Sequence, residues 1–328
     1  MRLYKKAAAC LLTAAMAISM LTACGGGGTG GNGGGNTPST LPDPDQIILP
    51  APGEGGGEGG GEGGGEGTET KPTKTPIVDV NNSKLAQFNK KYAGATEFYV
   101  EAQMVEYDED GSAEDSTVGC FAAKGNNVYM KVTLSGKNQK QQLIEELMLK
   151  EFDYNNSYLL LRGSKVAVRT SSYKSQSDDN ISLGTLITEK LPSQMWSTTV
   201  KVGPTEYYAE VYNAYSSEYT TCFTADGKPV YQFVRELNEK QLDRATLYKT
   251  IQAGSGTSKG LCTMPAGLKK YSVDFRTNTL TDANGNVFTI ELQTNSEGDV
   301  TSVKVFDKDK KDVSDDFKWA YDLYMMYK

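Results

Sequence analysis

Cys24 is the residue in this chain best placed to do chemistry. It follows an uncharged apolar run from Ala7 to Met20 and the small residues Thr22 and Ala23, and a run of glycines comes after it. A thiol with no core around it is a nucleophile free to accept an acyl group. Once Cys10 leaves with the leading segment, the other thiols are Cys120, Cys222 and Cys262, an odd set that allows at most one bond within the chain. Buried, free strand thiols are the expected state; if one bond forms, Cys222 with Cys262 is the first pairing to expect. The chain contains no histidine, which excludes Ser-His-Asp and Cys-His catalysis and histidine-based metal sites within it. Carboxylate pairs alone can hydrolyse glycosides, but no pair stands out from the acidic turns. The acidic runs at 108–111 and 307–312 lack the full ligand spacing of a calcium loop and read as solvated hairpin tips. No catalytic residue, metal or cofactor is therefore expected, and the chain reads as a non-enzyme.

The first residues explain why a thiol stands at position 24. Arg2, Lys5 and Lys6 precede the apolar run, which at about fourteen residues is shorter than the roughly 20 needed to span a bilayer. A basic start, a short apolar middle and small residues before a cleavage point describe a secretory signal over 1–23. Leu21-Thr22-Ala23-Cys24 resembles the lipobox of bacterial lipoproteins. That resemblance implies a mature chain beginning at an acylated Cys24, lipid-anchored to a bacterial cell membrane on its extracytoplasmic face. Each buried acyl methylene contributes about 0.8 kcal/mol, so two or more chains anchor stably.

From Cys24 to Asn82 the composition favours a disordered tether. Glycine runs flank a proline-containing patch, and Glu54, Glu58, Glu62 and Glu66 recur every four residues between glycines. Glycine offers no apolar area and loses the most entropy on ordering, so a coil spanning roughly 40 Å is expected. The exception is the apolar island Gln46–Pro52, which reads as a segment that docks on a partner or on the domain itself. Removal of Arg2, Lys5 and Lys6 with the signal takes the formal charge from −7 to about −10. Such an acidic chain carries no basic footprint for nucleic acid.

Residues 83–328 carry the periodicity of a folded domain, mainly β with some helix (α+β). Ser83 caps a helix whose Leu85, Phe88 and Tyr92 share a face and which stops at Gly94. Phe98, Val100, Ala102 and Met104 then alternate with polar residues, the period of a half-buried strand. Hairpin patterns follow, with "ELMLKEF" read as strand and a short middle helix expected over 182–196. A last helix starts at Ser314 and is apolar almost all round, so it should be largely covered. "TEFYVEAQ" at 96–103 matches "TEYYAEVY" at 205–212, and "CFAAKGNNVYM" at 120–130 matches "CFTADGKPVYQ" at 222–232. The match implies two similar meanders in one extended sheet, with Phe98, Val100 and Ala102 corresponding to Tyr207, Ala209 and Val211.

"ADGKPVYQFVREL", "ATLYKTI" and "GLCTMPAGLKKYSV", following an N-terminal helix and a long meander, resemble the LolA-like lipoprotein-carrier superfamily over about 84–273. The resemblance implies a large curved antiparallel sheet, or half-barrel, with helices at its mouth and an acyl chain on its apolar face. The hairpin and helix from about 274 extend beyond that core. Phe98, Val100, Met104, Met130, Tyr207 and Val211 are the candidate lining residues, methionines and aromatics suiting an adaptable pocket. Two functions are expected. One is a membrane-anchored module that binds a lipid or a lipoprotein acyl chain. The other is a surface scaffold or sensor that binds another envelope protein and no small ligand, which the nineteen tyrosines also suit.

Overall fold

The computed structural model describes residues 40–52 and 72–327, apart from 93, 138, 175–191, 215, 297 and 299. The segment 1–23 expected to be a signal and Cys24 lie outside the described residues, as does most of the middle helix expected over 182–196. Residues 192–195 are irregular, and Trp196 opens a strand.

Seventeen strands are found among the described residues. Two very short ones, β1 (Ile47–Ile48) and β2 (Thr75–Pro76), precede the helix α1 (Lys84–Tyr92). The first meander is β3 (Glu97–Tyr107), β4 (Ala113–Lys124), β5 (Asn127–Gly136), β6 (Gln139–Glu151), β7 (Tyr154–Leu161) and β8 (Val166–Lys174). The second is β9 (Trp196–Val202), β10 (Thr205–Ala214), β11 (Ser217–Phe223), β12 (Pro229–Glu236) and β13 (Arg244–Ala253). Last come β14 (Lys269–Asp274), β15 (Thr279–Asp282), β16 (Val287–Thr294) and β17 (Val300–Phe306), then the helix α2 (Trp319–Tyr327).

All of these form one sheet. β13 pairs with β3 and so joins the two meanders, β8 pairs with β14 in the one parallel contact, and β9 and β17 form the two ends. β1 and β2 cover the edge of β9 at Val202–Lys201 and at Ser197–Trp196. Among the described residues no pairing joins β17 back to β9, so the sheet is not closed into a barrel. The fold is thus mainly β and antiparallel, as the sequence implies, and it ends in a helix.

Four apolar clusters hold the sheet, two on each face, and each has its own cover. On one face α1 brings Leu85 and Phe88 onto Phe98, Val100 and Ala123. On the same face Phe317, Trp319, Leu323 and Tyr324 cover Val132, Ile144, Leu159 and Val168. On the reverse face Leu41, Ile47 and Leu49 pack against Val200, Tyr231 and Leu247, while Leu261, Cys262, Met264 and Leu268 cover Tyr129, Leu147 and Leu160. Burying a side chain such as Leu85 or Phe88 contributes about 1.5–3 kcal/mol.

Several expectations are corrected here. Residues 40–52 and 72–82 belong to the sheet and its helix entry, so the folded unit does not start at 83. Leu41, Ile47 and Leu49 have apolar area to bury, and Pro50 has a carbonyl that a buried arginine needs. Cys120, Cys222 and Cys262 are all free. Cys222 and Cys262 lie in different clusters, so the Cys222–Cys262 pairing is not made. Ser314 does not cap α2: a 3-10 turn over Ser314–Phe317 intervenes, and the Ser314 hydroxyl accepts from the Val305 N–H of the edge strand instead.

Candidate functional site

The register decides where the candidate lining residues face. Directly paired residues share a face, and the pairs Val100–Phe121 and Phe121–Met130 put Phe98, Val100, Met104 and Met130 together. From Met104 the pairing runs through Thr246, Gln232 and Thr221 to Glu210. Glu210 is therefore on that face, and Tyr207, Ala209 and Val211 are on the reverse face. The expected correspondence with Phe98, Val100 and Ala102 fails. The two copies are alike in sequence, but parity follows register, and a one-residue offset inverts it. Alternation gives no warning, because β10 is buried on both faces from Ala209 to Tyr212.

The six residues do not line one cavity. Phe98 and Val100 are buried under α1, and Met130 packs against the cluster around α2. Met104 is buried beside Thr117 and Thr246. Tyr207 stacks edge-on against Tyr231 at 5.5 Å beneath the 40–52 strap. Val211 is fully buried and paired with Trp196.

Sequence reading missed three buried polar groups that organise the covers. Glu210, fully buried, accepts from the Lys84 and Leu85 N–H groups at 2.6 and 2.9 Å and from the Tyr208 hydroxyl at 3.0 Å. It thereby satisfies the start of α1 from the sheet, where an anion suits the helix dipole. The Ser83 hydroxyl accepts from Ala86 N–H and completes the cap. Burial pushes the Glu210 carboxyl above its usual value, against the pull of those three donors.

Glu218, also fully buried, binds Lys74 at 2.5 Å and Arg235 through both Nε and Nη2. Arg235 Nη2 also donates to the Pro50 carbonyl at 2.8 Å. One carboxylate therefore gathers the 40–52 and 72–77 segments onto the reverse face. Glu145 is the third group. It accepts from the Tyr129 hydroxyl at 2.7 Å and from Arg162 Nε, with Arg162 Nη2 at 2.6 Å. Burial and then the Glu145 carboxylate push the Tyr129 hydroxyl well above its usual value. Each carboxylate thus has its partners within the chain: donors alone at Glu210, two cations at Glu218, and Arg162 with Tyr129 at Glu145. A charged residue within an apolar strand, such as Glu210 in "YYAEVY", is the only sequence sign of them.

Solvent-facing aromatics gather instead at the β6–β7 hairpin. Phe152 is 98% exposed and Tyr154 49%, and a cleft of about 530 Å³ there is lined by Glu151, Phe152, Tyr154, Asn156, Arg169 and Ser172. No described helix is long and apolar enough to cross a membrane. Comparison with family models and with curated proteins finds no match for the chain.

Proposed function

We propose that this is a bacterial lipoprotein, held to the extracytoplasmic face of a membrane by acylated Cys24, whose β domain is a surface-recognition module and not an acyl-chain carrier. The observation that carries this reading is the filling of the sheet's apolar face by the chain's own α1 and α2, which leaves that face occupied by the chain's own side chains. The acidic balance, formally −7, supports a protein or neutral partner over nucleic acid or anionic lipid headgroups. The partner class is an envelope or surface component reached from a short tether, since residues 40–52 are already docked.

Two measurements test the reading on the full chain. Mass analysis of the membrane-extracted protein should find Cys24 as an acylated N-terminus, and Cys24→Ser should release the chain from the membrane. Native mass spectrometry of the Cys24→Ser chain should then give the bare polypeptide mass. A bound lipid retained in one-to-one ratio would overturn the recognition reading in favour of a carrier.

A further inference from the structure

We propose that the cleft at the β6–β7 hairpin is a binding site for a neutral oligosaccharide. Its framework is a two-residue turn, Phe152-Asp153, between the paired residues Glu151 and Tyr154. Phe152 sits there at a left-handed φ of 54°, a conformation uncommon for a bulky residue. The placement buries none of the ring, so Phe152 contributes nothing to the core. What it does is hold an aromatic surface over the cleft mouth, beside half-exposed Tyr154.

Beneath the rings lies a polar floor. Asn156, only 4% exposed, donates from Nδ2 to Glu151 Oε2 at 2.8 Å, and the Tyr158 hydroxyl donates to the same oxygen at 3.1 Å. The Asn156 Oδ1 is itself buried with no hydrogen-bond partner, so Asn156 acts from behind the floor, fixing the Glu151 carboxylate through its Nδ2. Arg169, opposite Tyr158 across the strand pair, and Ser172, opposite Asn156, add donors from β8.

These groups match one ligand chemistry. A pyranose ring has an apolar C–H face, which aromatic rings cover, and a rim of hydroxyls that each donate and accept. The Glu151 carboxylate, the Arg169 guanidinium and the Ser172 hydroxyl can each take such contacts. The lining holds one carboxylate, Glu151, and one guanidinium, Arg169, so its formal charges cancel and neither an anionic nor a cationic ligand is favoured. The cleft volume falls within the usual range for small-ligand sites, about 300–1,000 Å³. The inference rests on reading the domain as a recognition module and names what one of its surfaces recognises.

The test titrates the full Cys24→Ser chain with a panel of neutral hexasaccharides (cello-, xylo-, manno-, malto- and chito-oligosaccharide) by calorimetry, and repeats it with Phe152→Gly and Asn156→Ala. Glycine relieves the left-handed backbone, so Phe152→Gly should fold at least as well as the parent while it loses the ring. Saturable binding by one of the panel, weakened about tenfold or more in both variants, is the expected result. Binding by none, or binding that Phe152→Gly leaves unchanged, overturns the proposal. Such a failure would not touch the anchoring and lipid-free measurements, which stand on their own.

Discussion

Replacing Glu218 with Gln tests the buried charge network that docks the strap. The Glu218 side chain is 0% exposed, and those of Lys74 and Arg235 are 3% and 4% exposed. Removing one partner from a buried ion pair costs about 3–5 kcal/mol, because the remaining charge stays out of water uncompensated. Glutamine can still accept one bond from Arg235 but cannot balance two cations, so a loss of about 4 kcal/mol is expected. With a urea slope of about 2–3 kcal/mol/M, the unfolding midpoint should fall by about 1–2 M. Lys74 has a partial escape, because burial already holds its ammonium pKa below the usual value and it lies on a short flanking segment. If residues 72–77 undock with it, the midpoint shift shrinks, and the Ile77 N–H, which donates to the Met195 carbonyl at 2.9 Å, should lose hydrogen-exchange protection instead. Lys74→Met, Glu218→Leu and Arg235→Met together should restore or exceed parental stability, since apolar replacement of a buried triad is often neutral or stabilising. A Glu218→Gln protein with the parental midpoint and parental protection at Ile77 would refute the docking of the strap by this network.

Further outcomes follow from other sites. In Gly119→Ala the new Cβ would stand 2.3 Å from the Lys131 carbonyl oxygen and 2.6 Å from Val132 Cγ1; overpacking against backbone costs about 1–3 kcal/mol, so thermal unfolding should drop by several degrees. Because burial raises the Glu210 carboxyl above its usual 4.5, its contribution to stability is full below about pH 4.5 and is lost as pH rises through the folded value. Glu210→Gln should flatten that descending arm in melting curves taken across the range. In the Cys24→Ser chain, Cys120, Cys222 and Cys262 should all react with a thiol reagent after unfolding. In the native state Cys120, the least buried, should react first; a Cys222–Cys262 crosslink in the peptide map would contradict the fold.

Local rules were legible where one face of an element meets solvent or where a side chain acts on its own backbone. Ser83 as the cap of α1, the strand at "ELMLKEF" and the hairpins come from periodicity and turn chemistry and stand as read, while the final apolar helix is present but starts at Trp319 and not at Ser314. Alternation disappears where both faces are covered, as in β12, where every residue from Pro229 to Arg235 is buried. There the side-chain direction of Tyr207 and Val211 depends on pairings relayed through β11, β12 and β13, which no local window contains. The 40–52 strap illustrates the same limit. Its island of apolar residues is visible within a glycine-rich run, but its destination depends on Arg235 and Glu218, which lie more than 160 residues further along the chain.

The sequence by itself determined the thiol at the end of an uncharged apolar run, the absence of histidine, the acidic balance and the β-rich class, because each is a matter of composition or of neighbours along the chain. Only the tertiary structure decided which face each strand turns inward, that α1 and α2 fill the apolar face, and that Phe152, Tyr154, Asn156 and Arg169 meet at one cleft. Those are outcomes of long-range register and of competition for buried area, and both are set by residues far apart in sequence.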